Sequence, residues 1–176
     1  MTSIIAGEWR GHPLPKLKAG SVRPTTDRAR TILFDTLRDV REMQVLDLYS
    51  GTGALGFEAL SRGAESLVSI DRDGKYINEQ KLWMRDRKKN FKAYVGDVQG
   101  VLTKLNQKFD LILADPPYAE NLSSTIMHLI EAHSSRNAYF VYESARRDEK
   151  TLDSDVFKLL KEKVVAETRI QIYKAY

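Results

Sequence analysis

The residues with the clearest chemical content are Asp115-Pro116-Pro117-Tyr118, which follow the apolar run Phe109-Asp110-Leu111-Ile112-Leu113-Ala114. Two prolines after a buried strand remove backbone donors and stiffen the loop, so the Asp115 carboxylate and a nearby carbonyl stay aimed as acceptors. Such a loop suits an –NH2 group. An amino group conjugated to a purine is a poor nucleophile because its lone pair is delocalised into the ring. Accepting hydrogen bonds from its two protons favours pyramidalisation and aims the lone pair at a methyl sulfonium. Tyr118 is placed to stack on the base, which in a duplex must first be flipped out of its helix. As a plain structural feature, the same tetrapeptide would be a helix-capping Asp, a Pro-rich turn and a core Tyr.

A second constellation surrounds Gly51-Thr52-Gly53-Ala54-Leu55-Gly56, which follows the strand-like Val45-Leu46-Asp47-Leu48-Tyr49. Glycines let the backbone turn tightly and approach a ligand, and the following helix presents free N–H groups. Asp71, twenty residues after Gly51, ends the second strand, where a carboxylate accepts hydrogen bonds from ribose hydroxyls. This implies adenosine without choosing a cofactor, since Gly51-x-Gly53-x-x-Gly56 also matches the dinucleotide fingerprint. Asp47 separates the two: it lies beside the cofactor's amino-acid end, where it would attract an ammonium and repel a pyrophosphate. Asp97, after the third strand, can accept from an adenine amino group. Tyr49, Arg72 and Val98 flank these acids and complete the expected cofactor-binding set; no metal ligands are expected.

These side chains need a sheet whose strands all end at one edge. Strand-like segments at Gln44–Tyr49, Ser66–Ile70, Ala93–Val95, Phe109–Ala114 and Ala138–Tyr142 alternate with helix-like ones, the pattern of a parallel sheet. Val156–Leu160 and Thr168–Tyr173 break that rhythm, with too few residues between them for a crossover helix, so an antiparallel edge hairpin is expected. Before the first strand, Arg23-Pro24-Thr25-Thr26-Asp27 reads as a helix entry, with apolar residues at helical spacing as far as Val40. The Gly/Pro-rich stretch Gly11–Gly20 sets off a short arm or hairpin. The expected organisation is an arm at 1–22 and one domain at 23–176.

Composition bounds the rest. The 176 residues suit a single domain. No apolar run approaches the roughly 20 residues that span a bilayer, and residues 1–10 lack the succession of a signal peptide. The absence of Cys excludes disulfides and thiolate metal sites, and His12, His128 and His133 are too scattered to suggest a metal cluster. A cytoplasmic monomer is expected. A net charge of +4 permits a polyanionic partner without requiring one. Basic residues gather near the N-terminus (Arg10, Arg23 and Arg28 among them) and between Lys81 and Lys92; the second group reads as a solvated face, and the first as the better candidate for phosphate contact.

Together, Ile4-Ile5-Ala6-Gly7-x-Trp9-Arg10-Gly11, Arg23-Pro24-Thr25-Thr26-Asp27-Arg28, the glycine turn and Asp115-Pro116-Pro117-Tyr118 resemble the bacterial 16S rRNA guanine-N2 methyltransferases of the RsmD type. The glycine turn and the Asp-Pro-Pro-Tyr loop occur in many amino-methyltransferases, whereas the arm and the Arg-Pro-Thr-Thr-Asp-Arg segment are particular to this family. The resemblance implies a seven-stranded, Rossmann-like class I methyltransferase fold, S-adenosylmethionine as donor, and a guanine of 16S rRNA in the small ribosomal subunit as acceptor. By position, Asp47, Gly51 and Gly53 would hold the donor's methionine end, Asp71 its ribose and Asp97 its adenine. Asp115 to Tyr118 would hold the guanine amino group, and Arg10, Arg23, Thr25 and Arg28 would meet the substrate. Asp35, Trp83 and Val165-Ala166 depart from the family pattern and bear on target choice. The competing readings are an amino-methyltransferase acting on DNA adenine or a protein amide, and a non-catalytic RNA-binding assembly factor.

Overall fold

The computed structural model describes residues 2–16, 26–117, 122–148 and 152–176. Among these, seven strands form one sheet in the order β3-β2-β1-β4-β5-β7-β6. The parallel strands are β1 (Gln44–Leu48), β2 (Ser66–Asp71), β3 (Asn90–Val95), β4 (Phe109–Ala114) and β5 (Ser134–Ala145). β6 (Phe157–Val165) and β7 (Thr168–Ala175) close one side, with β7 antiparallel to both neighbours. From β1 the chain winds outward through β2 and β3, then returns to place β4 on the other side of β1. Such a reversal opens a crevice beyond the carboxyl ends of β1 and β4, where open α/β sheets bind ligands.

Alternation along the strands divides the core. Val45, Leu111, Leu113, Val141 and Ile172 face α1 (Asp27–Leu37) and α2 (Ala54–Ser61), with Met84 of α3 (Gly74–Met84). Leu46, Leu48, Ile112, Ala114 and Phe140 face α4 (Val98–Leu102) and α5 (Ser124–Ala132). Each boundary has a chemical marker. The Thr26 side chain caps α1 by accepting from Ala29 N–H, Asp97 caps α4, and Ser123 caps α5. His133 ends α5 with both ring nitrogens against the carbonyls of Leu129 and Leu105, a structural use.

Several boundaries differ from the sequence-based expectation. α1 stops at Leu37, because Arg38 adopts φ 63° and breaks the helical path before Val40. β3 starts three residues earlier than the apolar pattern suggests: as an edge strand it keeps Asn90 and Lys92 exposed or half-exposed, and this hides its periodicity. β6 runs on through Lys161-Glu162-Lys163 to Val165, leaving only Ala166-Glu167 as the hairpin turn. Charged residues on an outer strand discourage pairing with another chain.

The N-terminal arm is part of the same core. Ile4, Trp9 and Leu14 are buried with the α1/α2 side of the sheet. Every residue of α2 is buried, since the arm covers the face that a surface helix would leave to water. Glu58, fully buried on α2, accepts from Ile5 N–H at 2.8 Å and Ala6 N–H at 3.0 Å. Ser61 donates to Ala6 C=O and accepts from Trp9 N–H, and Glu8 N–H reaches the Ser61 carbonyl. At Gly7, φ is 86° and an added Cβ would lie 1.9 Å from the Ser61 carbonyl oxygen, so the contact admits no side chain. The Ile-Ile-Ala-Gly-x-Trp pattern is therefore a docking sequence for α2.

Candidate active site

Register brings the acids together. Leu48 pairs with Ile70 on one side and with Ala114 on the other, so the next residues, Tyr49, Asp71 and Asp115, come level at the carboxyl edge. With neighbouring strands about 4.8 Å apart, Asp71 and Asp115 flank β1 at a backbone separation of about 10 Å. Asp71 pairs with Val95, which puts Asp97 just beyond the end of β3.

The glycine turn holds its shape through backbone geometry and two side chains. Tyr49, Gly51 and Gly53 have φ of 58°, 51° and 79°. A left-handed Tyr costs on the order of 1 kcal/mol, held here by the surrounding hydrogen bonds. Asp71 Oδ2 accepts from Gly51 N–H at 2.8 Å, and its Oδ1 accepts from Asp73 N–H at 2.8 Å. Each carboxylate oxygen retains acceptor capacity for a ribose hydroxyl. Gln80, missed by sequence reasoning, is wholly buried and donates to Ser50 Oγ and Gly51 C=O at 2.9 and 2.8 Å. Its signal was a polar residue sharing the inward face of α3 with Ile77 and Met84. Gly53 rests on the Phe57 ring, which a Cβ would approach to 2.8 Å.

Asp47 points into the α2 side of the crevice, 2% exposed, and its Oδ2 accepts from Gly56 N–H at 3.0 Å. Gly56 is required there, because a Cβ would crowd Leu67 and the Asp47 carboxylate at 2.7 and 2.9 Å. Burial pushes the Asp47 carboxyl up to about 8; the Gly56 hydrogen bond opposes this, and the negative charges of Asp115 and Asp71 add to it. The sign of the consequence is definite. Between about pH 4 and pH 8 the folded protein holds a proton that the unfolded chain has released, so stability falls as pH rises through that window, by up to about 1.4 kcal/mol per unit. In Asp47→Asn, which keeps an acceptor for Gly56, this slope disappears and stability at pH 8 exceeds that of the wild type. Urea unfolding at pH 5, 6.5 and 8 checks it; parallel pH profiles for the two proteins would contradict it.

The catalytic-loop candidates occupy the centre of the edge: Asp115 and Pro117 are half-buried and Pro116 is buried. The backbone of Leu122 hydrogen-bonds the Tyr142 side chain. Tyr142 pairs with Ala114 in the sheet, so its ring pins the far stem of the loop beside the strand that delivers Asp115. Burial first, and the charges of Asp148 and Asp115 with it, raise the Tyr142 pKa, keeping the hydroxyl neutral. Tyr118 lies outside the described residues, as do Arg23 and Thr25.

The remaining candidates spread over the molecule. Asp97 is exposed and caps α4 through Gly100 N–H at 2.7 Å, with Val98 buried behind it; Arg72 is exposed beside Asp71. Arg28 is exposed in the first turn of α1. Arg10 sits apart, in the arm turn beside Ser61 at the far end of α2, separated from the glycine turn by that helix's length of about 12 Å. The second basic group is engaged with the arm: the Arg87 guanidinium lies over the Trp83 and Trp9 rings, and Lys89 pairs with Glu8. Trp83 stacks on Phe57 and donates to Pro13 C=O, so this departure from the family pattern welds the arm to the ring beneath Gly53. Among the described residues, no group of three or more His, Asp or Glu is placed to hold a metal ion, and no helix is long and apolar enough to cross a membrane.

Comparison with known proteins meets this geometry. The family profile described as "Conserved hypothetical protein 95" matches residues 2–174. The ribosomal RNA small subunit methyltransferase D of Haemophilus influenzae is 32% identical, over 97% of this chain and 92% of the relative. Among solved structures, the Escherichia coli protein yhhF superposes with a TM-score of 0.86 at 28% identity, covering 99% of this chain and 97% of that one. A chain solved in complex with S-adenosylhomocysteine (SAH) shares the fold at 15% identity, with a TM-score of 0.70 over 88% of this chain and 50% of its own. The sheet order and fold are thus those of a class I methyltransferase, and the chain belongs to the ribosomal RNA small subunit methyltransferase D family.

Proposed function

We propose that the protein transfers a methyl group from S-adenosylmethionine to the exocyclic N2 amino group of a guanine in 16S rRNA, within the small ribosomal subunit or its assembly intermediate. The observation that carries the reading is the convergence of Asp47, Asp71 and Asp115 at one sheet edge, which lines the crevice with carboxyl groups, Asp71 and Asp115 supplying negative charge. A dinucleotide pyrophosphate is disfavoured there, while a ligand bearing an ammonium and a sulfonium suits it. Burial keeps the Asp47 carboxyl protonated below about pH 8, and an ammonium seated beside it would favour the ionised form and pair with it. When bound, the donor supplies an electrophilic methyl group and leaves as a neutral thioether.

The chain's own residues supply position and electrostatics. Asp47 and the turn of Tyr49, Gly51 and Gly53 hold the methionine end, Asp71 and Arg72 border the ribose, and Asp97 and Val98 border the adenine. Asp115, with the Pro116-Pro117 backbone, accepts hydrogen bonds from the amino protons and holds the nitrogen in line with the methyl group. Tyr118 stacks on the base, and Arg10, Arg23, Thr25 and Arg28 contact the RNA. The name of the H. influenzae relative supports small-subunit ribosomal RNA as the acceptor. The protein acts as a cytoplasmic monomer in this reading.

Incubation with methyl-labelled donor and unmethylated small subunits, free rRNA, DNA and a glutamine peptide tests the reading. Label is expected in the small-subunit RNA and not in DNA or peptide. Label in DNA or peptide, or in none, would replace it with the corresponding alternative.

A further inference from the structure

We infer that Arg146 and Arg147, at the carboxyl end of β5, form a phosphate clamp that grips the acceptor RNA next to the catalytic loop. Neither residue belongs to the N-terminal basic group, and this inference rests on the RNA reading above. β5 is adjacent and parallel to β4, with Tyr142 opposite Ala114. β5 continues three residues past that pair, held by β7 through Ala145↔Thr168, so at about 3.3 Å per residue it rises about 10 Å above the end of β4. The two arginines therefore stand one strand over from Asp115, on the side away from the glycine turn. Along the edge the order is adenosine site, amine site, arginine pair. A flipped nucleotide whose base reaches Asp115 must leave its own phosphates above the sheet edge, and this pair overlooks that space.

The backbone under the pair is fixed. Arg146 N–H donates to Glu167 C=O at 2.8 Å, Arg169 Nη2 donates to Arg146 C=O at 3.2 Å, and Asp148 N–H donates to Ala145 C=O at 2.9 Å. Arg169, itself paired with Glu162, braces the turn and does not face a ligand. Both arginine side chains remain exposed, and among the described residues no carboxylate pairs with either guanidinium. Two arginines on a braced turn match phosphate oxygens through bidentate forks at little ordering cost. The acids near them, Asp148 and Glu167, are tied to the turn through their backbones, and Asp148 also acts electrostatically on Tyr142.

The test uses the full chain and the double variant Arg146→Glu/Arg147→Glu, with a single-stranded 16S rRNA fragment for binding and unmethylated small subunits for kcat and KM. Arg136→Glu serves as control: it is also exposed and on β5, but at the opposite edge, about 30 Å away. Each lost phosphate contact lowers the salt slope of RNA affinity by about 0.7 for single strands. The double variant is expected to reduce that slope by more than 1, raise the rRNA KM at least tenfold and leave kcat and donor affinity within about twofold, with the control unchanged. Unchanged donor affinity shows that the site is folded. An unaltered slope and KM, or an equal loss in the control, would overturn the clamp while leaving rRNA methylation by the wild type standing. A wild type that neither binds the fragment nor methylates small subunits would overturn the functional reading, and the clamp with it.

Discussion

Asp115→Ala is expected to lower the rate of methyl transfer by about 10²- to 10⁴-fold, the range for removing a positioned acceptor or proton-transfer group, with donor affinity changed by less than about threefold. The carboxylate stands at the end of β4, two strands over from the Asp71 corner with β1 between them, and its role in the proposed chemistry is confined to the amino group. That group develops positive charge as its nitrogen attacks, so an acceptor at Asp115 is worth more in the transition state than in the ground state and its loss appears in kcat. Removing one negative charge also relieves part of the pressure on Asp47, so donor binding does not weaken on that account. Asp115→Asn keeps one acceptor oxygen but loses the negative charge, so it is expected to lose less transfer than Asp115→Ala. Single-turnover transfer, with donor affinity measured separately, checks both variants; wild-type transfer by Asp115→Ala would remove Asp115 from the chemistry.

Glu58→Ala is expected to destabilise the fold by about 3–5 kcal/mol, as for breaking one partner out of a buried ionic network. Glu58 is fully buried, pairs with Arg62 at 2.7 Å and lies 4.0 Å from the equally buried Arg30. It also satisfies the Ile5 and Ala6 amides, whose partners vanish with the carboxylate. Arg30 keeps Asp27 and the carbonyls of Ser3 and Ala54 as partners. The arm should therefore loosen first, exposing Trp9 and Trp83 before the sheet melts. A urea titration followed by tryptophan fluorescence and by far-ultraviolet circular dichroism is expected to show the fluorescence transition moving to lower denaturant. Coincident, unshifted transitions would show that the arm is held by its apolar contacts alone.

What could be learned from the sequence followed from period and spacing. β1, β2, β4 and α2 showed themselves because buried parallel strands are continuous apolar runs and their glycine turn has fixed spacing. Asp71 and Asp115 could be placed at one edge because each ends such a run, and Asp47 because it lies one residue before the end of another. The edge strands were less legible: β3 and β6 face water and carry Asn90, Lys92 and Lys161-Glu162-Lys163, so their composition looks like loop. The arm was recognised by its residues but not by their work. Gly7, Trp9 and Glu58 form a docking joint across more than fifty residues, which no local pattern encodes. Gln80 and Tyr142 escaped for the same reason, since each supports a loop distant in sequence. The arginines at 146 and 147 gained meaning only once β5 was seen to rise beside β4.

Identity of the methylated nucleoside tests the central claim most directly. Small-subunit RNA methylated by the protein, digested to nucleosides and resolved by mass spectrometry against standards, should yield N2-methylguanosine as the single new product, absent with Asp115→Ala. N6-methyladenosine, a ring-nitrogen or ribose methylation, or a product that persists in the Asp115 variant would contradict an Asp115-directed transfer to the guanine amino group.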